Sequence, residues 1–89
     1  MFRLTPLSET PDEVVLRVEG WLEGAEVGVL SREIESWRQR DRQVVLDLTG
    51  LKDIEPAGLR LLSSWVGKGV SLRGGSGYLR ALLTRHGIS

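Results

Sequence analysis

The amino-acid sequence predicts a single small α/β domain, with a mixed four-stranded sheet and the element order β-β-α-β-α-β-α. Three observations lead to this prediction. The chain has 89 residues, which suits one small domain. Short β-branched, apolar runs alternate with segments whose apolar residues recur every three or four positions. The first two runs are separated only by a short turn, which favours an antiparallel N-terminal β-hairpin.

The hairpin is predicted from two apolar segments around a polar turn. Apolar residues that alternate loosely with polar ones indicate the first strand: Phe2, Leu4 and Leu7. Pro6 has no N–H to donate, so this strand is expected at the edge of the sheet. Residues 8–12 have the composition of a turn. The second strand is predicted over residues 14–18 and ends near Gly20.

The first helix is predicted from Ala25 onward, because apolar residues then fall on one helical face. These residues are Val27, Leu30, Ile34 and Trp37. Gly24 lies where a cap is expected. Arg38 and Arg40 suit the C-terminal end of the helix, where basic side chains offset the helix dipole.

The third strand and the second helix are the most informative part of the chain. Residues 44–48 are a strongly apolar strand between two helices, which predicts a strand parallel to its neighbour and covered by helices. A short loop is expected next, and a helix begins at Pro56, which suits the first helical position. The apolar face of this helix comprises Leu59, Leu61, Leu62, Trp65 and Val66. Gly67 is predicted as the left-handed residue that ends it.

A short last strand over residues 70–72 and a final helix complete the prediction. Residues 74–77 form a glycine-rich loop, in which Ser76 is the candidate N-cap. One side of the final helix is expected to carry Leu79, Leu82, Leu83 and His86. The three tryptophans are expected to contribute to the core, because each can bury a large area; they are Trp21, Trp37 and Trp65.

Composition argues against several classes of function. With 12 basic and 12 acidic residues the net charge is zero, which is not the electrostatic footprint of a nucleic-acid binder or of a membrane-surface protein. The chain has no cysteine, so thiol nucleophiles and thiolate metal sites are excluded. There is neither a signal-peptide pattern nor an apolar stretch of roughly 20 residues. We expect a cytoplasmic domain that uses no metal or cofactor and does not insert into a membrane.

The candidate catalytic groups each have a simpler structural interpretation. His86 is the only histidine and lies near a helix end, so a Ser–His–Asp triad is disfavoured. Asp47, Asp53 and Glu55 lie near the carboxyl end of the central strand, where ligands often bind. Acid–base catalysis by such a pair is conceivable. We favour the interpretation that Asp47 accepts hydrogen bonds from loop N–H groups and that Glu55 caps the helix.

The glycine-rich segments do not match nucleotide-binding motifs. Gly67-Lys68 is followed by Gly69, where a phosphate loop requires Ser or Thr. Arg80 stands where a dinucleotide fingerprint needs a third small residue. We therefore expect loop geometry rather than phosphate binding, and a protein that is not an enzyme.

The junction before the second helix is conspicuous because it lacks a hydroxyl group. A strand-to-helix junction presents backbone N–H groups and is a natural site of recognition or phosphorylation. Between Thr49 and Ser63 no residue carries a hydroxyl. Ser63 and Ser64 come a turn or more later, beyond the helix end where the dipole favours phosphate. Whether phosphorylation of either serine regulates the protein stays open.

The element order and two segments together resemble the STAS domain, found in anti-sigma-factor antagonists and in the cytoplasmic tails of sulfate transporters. The segments are 44–50, Val-Val-Leu-Asp-Leu-Thr-Gly, and 54–59, Ile-Glu-Pro-Ala-Gly-Leu. The resemblance covers essentially the whole chain, residues 1–89. It implies an antagonist-like fold and a non-catalytic module that acts through a protein partner.

The resemblance also assigns positions in the junction. In the family this loop commonly reads Asp-Ser-Ser-Gly or Asp-Ser-Thr-Gly, and a partner kinase that doubles as an anti-sigma factor phosphorylates the second hydroxyl. By this resemblance Glu55 takes the acidic position, Pro56 the next, Ala57 that of the phosphoacceptor and Gly58 that of the glycine. The implied partner-binding loop runs from Asp53 to Leu59 and cannot be switched by phosphorylation at Ala57.

Three other functions stay open at this point. STAS-like proteins also occur bound to the ATPase of lipid-transporting ABC systems, so the chain could be a cytoplasmic transporter subunit. An enzyme or nucleotide-binding protein would use Asp47, Glu55 or the loop at 74–77. A structural homodimer would use the surplus of aromatic residues.

Overall fold

The computed structural model describes residues 1–88 as one sheet with three helices. The elements are β1 (Phe2–Glu9), β2 (Glu13–Leu22), α1 (Glu26–Arg38), β3 (Gln43–Ile54), α2 (Pro56–Gly67), β4 (Ser71–Arg73) and α3 (Gly77–Arg85). This order confirms the predicted sequence of elements. None of the helices in the described part of the chain is long and apolar enough to cross a membrane.

The sheet is mixed, as predicted. Its four strands lie side by side in the order β1-β2-β3-β4. β1 pairs antiparallel with β2, which confirms both the hairpin and the edge position of β1. β3 runs parallel to β2 and to β4. Each parallel neighbour is reached through a helix, as a parallel connection requires.

The core lies between one face of the sheet and the helices. Alternate residues of the central strands point into it: Val14, Leu16 and Val18 from β2, and Val44, Leu46 and Leu48 from β3. The helices contribute Leu30, Ile34, Leu59, Leu62, Trp65, Leu79 and Leu83. The opposite face of the sheet carries polar side chains from the other set of alternate positions, among them Arg17 and Asp47. The domain is therefore built of two layers around one hydrophobic core.

The central strands are longer than predicted. β3 spans Gln43–Ile54 instead of 44–48, so a single residue, Glu55, separates it from α2. The predicted loop is therefore wrong: Ile54 still pairs with Leu22 at the end of β2. The polar residues in this part of β3 face solvent, so the apolar run that marks a buried strand stops before the strand does.

Two predicted glycine roles at helix ends are also wrong. The N-cap of α1 is Ala25, and Gly24 precedes it with a φ of +58°. Gly67 is the last residue of α2, and the left-handed residue is Gly69, with a φ of +96°. In addition, Arg40 lies beyond the end of α1. Helix ends depend on tertiary packing and shift by one or two residues from their sequence signals.

The C-terminal elements follow the prediction with small shifts. β4 occupies Ser71–Arg73, one residue later than expected. Ser76 is the N-cap of α3, and its hydroxyl accepts a hydrogen bond from the Leu79 N–H at 3.1 Å, which confirms its predicted role. The expectation that His86 lines the apolar side of α3 is wrong, because the helix ends one residue earlier and the side chain is exposed. Ile88 packs into the core instead.

The tryptophans differ in their environments. Trp65 is buried, with 4% of its surface exposed, and Trp37 is half-buried against the core. The expectation that Trp21 contributes to the core is wrong, because 49% of its surface is exposed. Residue parity explains the difference: Trp21 is odd-numbered, whereas the β2 residues that pack in the core between sheet and helices are even-numbered.

Candidate functional site

The junction between β3 and α2 is held by the backbone of one residue. Glu55 is extended, with φ −77° and ψ 162°, and occupies the N-cap position of α2. Its N–H donates to the carbonyl of Leu22 at 3.2 Å, and its carbonyl accepts from the Leu59 N–H at 3.0 Å. Pro56 follows at the first helical position, as predicted. Glu55 therefore fixes the start of α2 against the end of β2.

The Glu55 side chain does not cap its own helix, contrary to the favoured interpretation. Its carboxylate instead accepts a hydrogen bond from the Gly24 N–H at 3.1 Å. Gly24 lies in the connection between β2 and α1. The side chain therefore ties that connection to the junction, and both segments form one surface.

Gly58 lies where the helix approaches the strands most closely. A Cβ atom at this position would lie 2.6 Å from Cγ1 and 2.9 Å from Cδ1 of Ile54, and 3.4 Å from Cδ2 of Leu22. The two distances to Ile54 are shorter than any normal carbon–carbon contact. A residue without a side chain is therefore what allows α2 to pack against the ends of β2 and β3.

The remaining junction residues differ in how far a partner could reach them. Asp53, Glu55 and Pro56 are exposed, and Ala57 is half-buried at the second position of α2. Leu59 is only 5% exposed and packs in the core. Leu59 therefore packs beneath the junction in the core. The exposed residues and the accessible part of the Ala57 side chain form the surface of the junction.

Two exposed aromatic residues flank Asp53, and neither is among the site residues predicted from the sequence. Trp21 pairs with Asp53 in the register of β2 and β3. The Tyr78 hydroxyl lies 3.3 Å from Oδ1 of Asp53, to which it donates a hydrogen bond. Tyr78 is 59% exposed, and Nζ of Lys52 lies 5.1 Å from the centre of the Trp21 ring. The alternation of side chains along β2 could have predicted from the sequence that Trp21 is exposed. The position of Tyr78 depends on how α3 packs and could not be predicted in this way.

Asp47 has the structural role that was favoured. Its Oδ1 accepts hydrogen bonds from the backbone N–H of Thr49 at 2.9 Å and from the Thr49 hydroxyl. Its Oδ2 lies 4.0 Å from Nη2 of Arg17 and 3.6 Å from Nη2 of Arg73. The hydrogen bonds from Thr49, and secondarily the two guanidinium groups, hold the pKa of Asp47 below its usual value, against the opposing effect of burial.

Asp47 lies apart from the other two candidate carboxylates, Asp53 and Glu55. Asp47 and Asp53 belong to the same extended strand, and six residues at about 3.3 Å each separate them by roughly 20 Å. A cavity beside the junction measures about 50 Å³. It is lined by Trp21, Leu22, Glu23, Asp53, Ile54 and Glu55. This is small beside the 300–1,000 Å³ or so of typical small-molecule sites. Among residues 1–88, no group of three or more His, Asp or Glu side chains could hold a metal ion.

Comparisons with known proteins were made on sequence and on fold. The sequence model of a family described as "Mlab, STAS domain" matches residues 6–89. Among solved structures, the fold is similar to that titled "Structure of the Anti-Sigma Factor Antagonist SpoIIAA in its Unphosphorylated Form". That match has a TM-score of 0.76 and 18% identity, over 99% of this chain and 82% of that one. A search of curated proteins found no match.

Proposed function

The chain belongs to the STAS domain family, and from this membership we propose that it is a non-catalytic protein-interaction module that docks a protein partner at the β3–α2 junction. The proposed surface comprises Asp53, Glu55, Pro56 and Ala57, with Gly58 and Leu59 supporting it from the core side. Trp21 and Tyr78 extend this surface on either side of Asp53. The proposed setting is the cytoplasm.

The observation that carries this proposal is the pair of exposed aromatic residues. Aromatic side chains are costly to leave in water and are enriched at the centres of protein interfaces. Trp21 and Tyr78 come from β2 and α3, yet both contact or pair with Asp53. The fold therefore brings them together beside the junction that the family resemblance identifies as the binding loop.

We propose that phosphorylation does not regulate this junction. A phosphoryl group adds a charge of about −1.5 to −2, and near a helix N-terminus it would reshape the binding surface. Ala57, at the second position of α2, has no side-chain hydroxyl to accept such a group. The junction would thus stay permanently in a state equivalent to the unphosphorylated one.

Two classes of protein are candidates for the partner. One candidate is an anti-sigma factor of the switch-kinase type, and the other is the ATPase of a lipid-transporting ABC system. The solved structure similar in fold is an antagonist, whereas the matched sequence family carries the name Mlab. Identification of the captured partner distinguishes a sigma-factor regulator from a transporter subunit.

The test is affinity capture by the tagged full chain from a lysate of the source cells, with mass spectrometry of the retained proteins. Trp21→Ala removes an exposed ring beside the junction. Val29→Ala is the matched control, because Val29 is an exposed apolar residue of α1, with 42% of its surface accessible. We expect the amount of captured partner to fall at least tenfold for Trp21→Ala and to stay unchanged for Val29→Ala. Equal retention by the two variants, with both folded by circular dichroism, would contradict docking at the junction.

A further inference from the structure

The second half of the chain carries charge of one sign. All 12 acidic residues lie within residues 1–55, so residues 56–89 contain no carboxylate side chain. The same segment contains the basic residues Arg60, Lys68, Arg73, Arg80 and Arg85. The net charge of zero therefore conceals a negative first part and a positive second part.

These basic residues lie in or directly after the last three elements of the chain. They belong to α2, β4 and α3 or, for Lys68, to the residue directly after α2, and β4 is an edge strand. All five side chains are exposed. Over residues 1–88 only Arg73 among them forms an ion pair, with Asp47 at 3.6 Å. Two of them lie at helix C-termini, where the dipole accounts for a cation, but Arg60 and Arg80 do not.

A cavity of about 160 Å³ beside Arg60 lies between α2 and the turn that follows α3. We call it the basic groove; it is lined by Pro56, Leu59, Arg60, Ser63, His86 and Ile88. Leu59 and Ile88 are 5% and 3% exposed and form an apolar floor. Arg60, Ser63 and His86 are exposed and offer a guanidinium, a hydroxyl and an imidazole at its rim. These groups can donate hydrogen bonds to an anion, and among residues 1–88 no carboxylate side chain lines the groove.

We propose that the basic groove docks an acidic segment of the protein partner, with a carboxylate held between Arg60 and His86 and an apolar side chain on the floor. A guanidinium binds a carboxylate through two parallel hydrogen bonds, and Ser63 supplies a third donor. This inference rests on the proposed function and specifies the chemistry of its partner. Pro56 belongs to both the groove and the β3–α2 junction, so the two form one continuous surface.

The same observations argue against a nucleic acid or a membrane as the occupant. Strong binding to nucleic-acid backbones typically uses about 6–10 phosphate contacts. Among the described residues that line the groove, only Arg60 is a lysine or arginine. The other four basic residues lie outside it: Lys68, Arg73, Arg80 and Arg85. Asp53 and Glu55 are exposed beside its Pro56 end and would repel a long polyanion. The buried, apolar floor suits a side chain of a peptide better than a phosphate group.

The test uses two synthetic peptides and the ¹⁵N-labelled full chain. The acidic probe is acetyl-Gly-Leu-Glu-Glu-Leu-Gly-amide, and the control peptide has lysine in place of both glutamates. Binding is followed by chemical shifts of the Ser63 amide, the Arg60 Nε–H and the His86 ring protons. Arg60→Glu reverses the charge at the groove. Arg32→Glu makes the same change at an exposed position on α1 and is the matched control.

We expect saturable shifts at the groove with the acidic peptide and none with the lysine peptide. Arg60→Glu should weaken binding about tenfold or more, and Arg32→Glu less than about twofold, because steering at a distance is largely screened at physiological salt. The inference is overturned by unperturbed groove signals, by equal effects of the two variants, or by tighter binding of an oligothymidylate or of phosphatidylglycerol vesicles in the groove.

This test and the capture experiment can fail separately. If Trp21→Ala releases the partner while the acidic peptide leaves the groove signals unchanged, the docking module stands and the acidic-segment inference falls. If the peptide binds as expected while Trp21→Ala captures as much partner as the wild type, docking at the junction is contradicted and the proposed chemistry of the groove is retained.

Discussion

Replacing Asp47 with asparagine tests the polar network on the open face of the sheet. The carboxylate is buried, with 6% of its surface exposed, and both of its oxygens have partners. Asparagine has nearly the same shape and can still accept a hydrogen bond from Thr49, but it carries no charge. The variant Asp47→Asn therefore removes the electrostatic part of the network and leaves its geometry in place.

The expected loss follows from the partners of the carboxylate. Hydrogen bonds to a charged acceptor contribute about 1.5–3 kcal/mol, compared with about 1 kcal/mol for neutral ones, so the two bonds from Thr49 lose about 1–4 kcal/mol in total, and the partial exposure of the network favours the lower half of this range. The ion pairs with Arg17 and Arg73 are long, and the two arginine side chains are 39% and 56% exposed. Each adds at most about 0.5 kcal/mol. We expect the free energy of unfolding to fall by about 2 kcal/mol at pH 7, which lowers Tm by about 8–16 °C.

The loss must depend on pH in a defined direction. The pKa of Asp47 is lower in the folded protein than its ordinary value of 3.8. The unfolded chain therefore binds this proton first, and the stabilisation is fully present above the unfolded value. It is lost as the pH falls from about 4 through the folded pKa. The difference between wild type and Asp47→Asn should accordingly be constant near neutrality and shrink toward zero in acid.

Urea unfolding followed by circular dichroism between about pH 7 and pH 2.5 measures this difference. Asp12→Asn is the control, because Asp12 is exposed and its change should alter stability by less than about 0.5 kcal/mol at every pH. The reasoning is refuted if Asp47→Asn costs less than about 0.5 kcal/mol at pH 7, or if its cost is the same in acid as at neutrality.

Two further predictions concern the β3–α2 junction. Gly58→Ala should destabilise the domain by about 1 kcal/mol, because overpacking against Ile54 costs about 1–3 kcal/mol and helix propensity returns less than 1 kcal/mol. Gly67→Ala, in the same helix with nothing within 4 Å, should leave Tm unchanged or slightly raised; equal losses in the two variants would rule out the close contact as the cause. A switch kinase of the antagonist type, supplied with radiolabelled ATP, should leave the wild type unlabelled and phosphorylate Ala57→Ser. If every such kinase leaves Ala57→Ser unlabelled, Ala57 is not equivalent to the phosphoacceptor position.

The elements and their order could be predicted because each has a clear periodicity. The alternating apolar residues of β2 and the strong apolar run that begins β3 are local signals, and the helical faces repeat every three or four residues. The second half of β3 could not be found in this way. Lys52 and Asp53 are polar and exposed, and only pairing with residues 19–22 of β2 makes this segment a strand.

The candidate site rests on the resemblance to the family, which assigns positions to Ala57 and Gly58, and this assignment stays a prediction. The structure supplies a physical reason for the glycine, which is the close approach to Ile54. Trp21 was assigned to the core because its type was considered without its parity in β2. Tyr78 could not be placed without knowing how α3 packs. No acidic residue follows Glu55 in the sequence, so the first part of the chain is negative and the second part is positive. A net charge of zero does not reveal this separation.

Amide hydrogen exchange of the chain, free and bound to its captured partner, tests docking at the β3–α2 junction most directly. We predict slower exchange on binding at the amides of residues 53–55, 57–59 and Trp21. We predict little change in the last turn of α1, residues 35–38, because Arg38 contacts the carbonyl of Lys68 at the other end of α2. Protection confined to this last turn of α1 or to the edge strand β1, with the junction amides unchanged, would contradict the account.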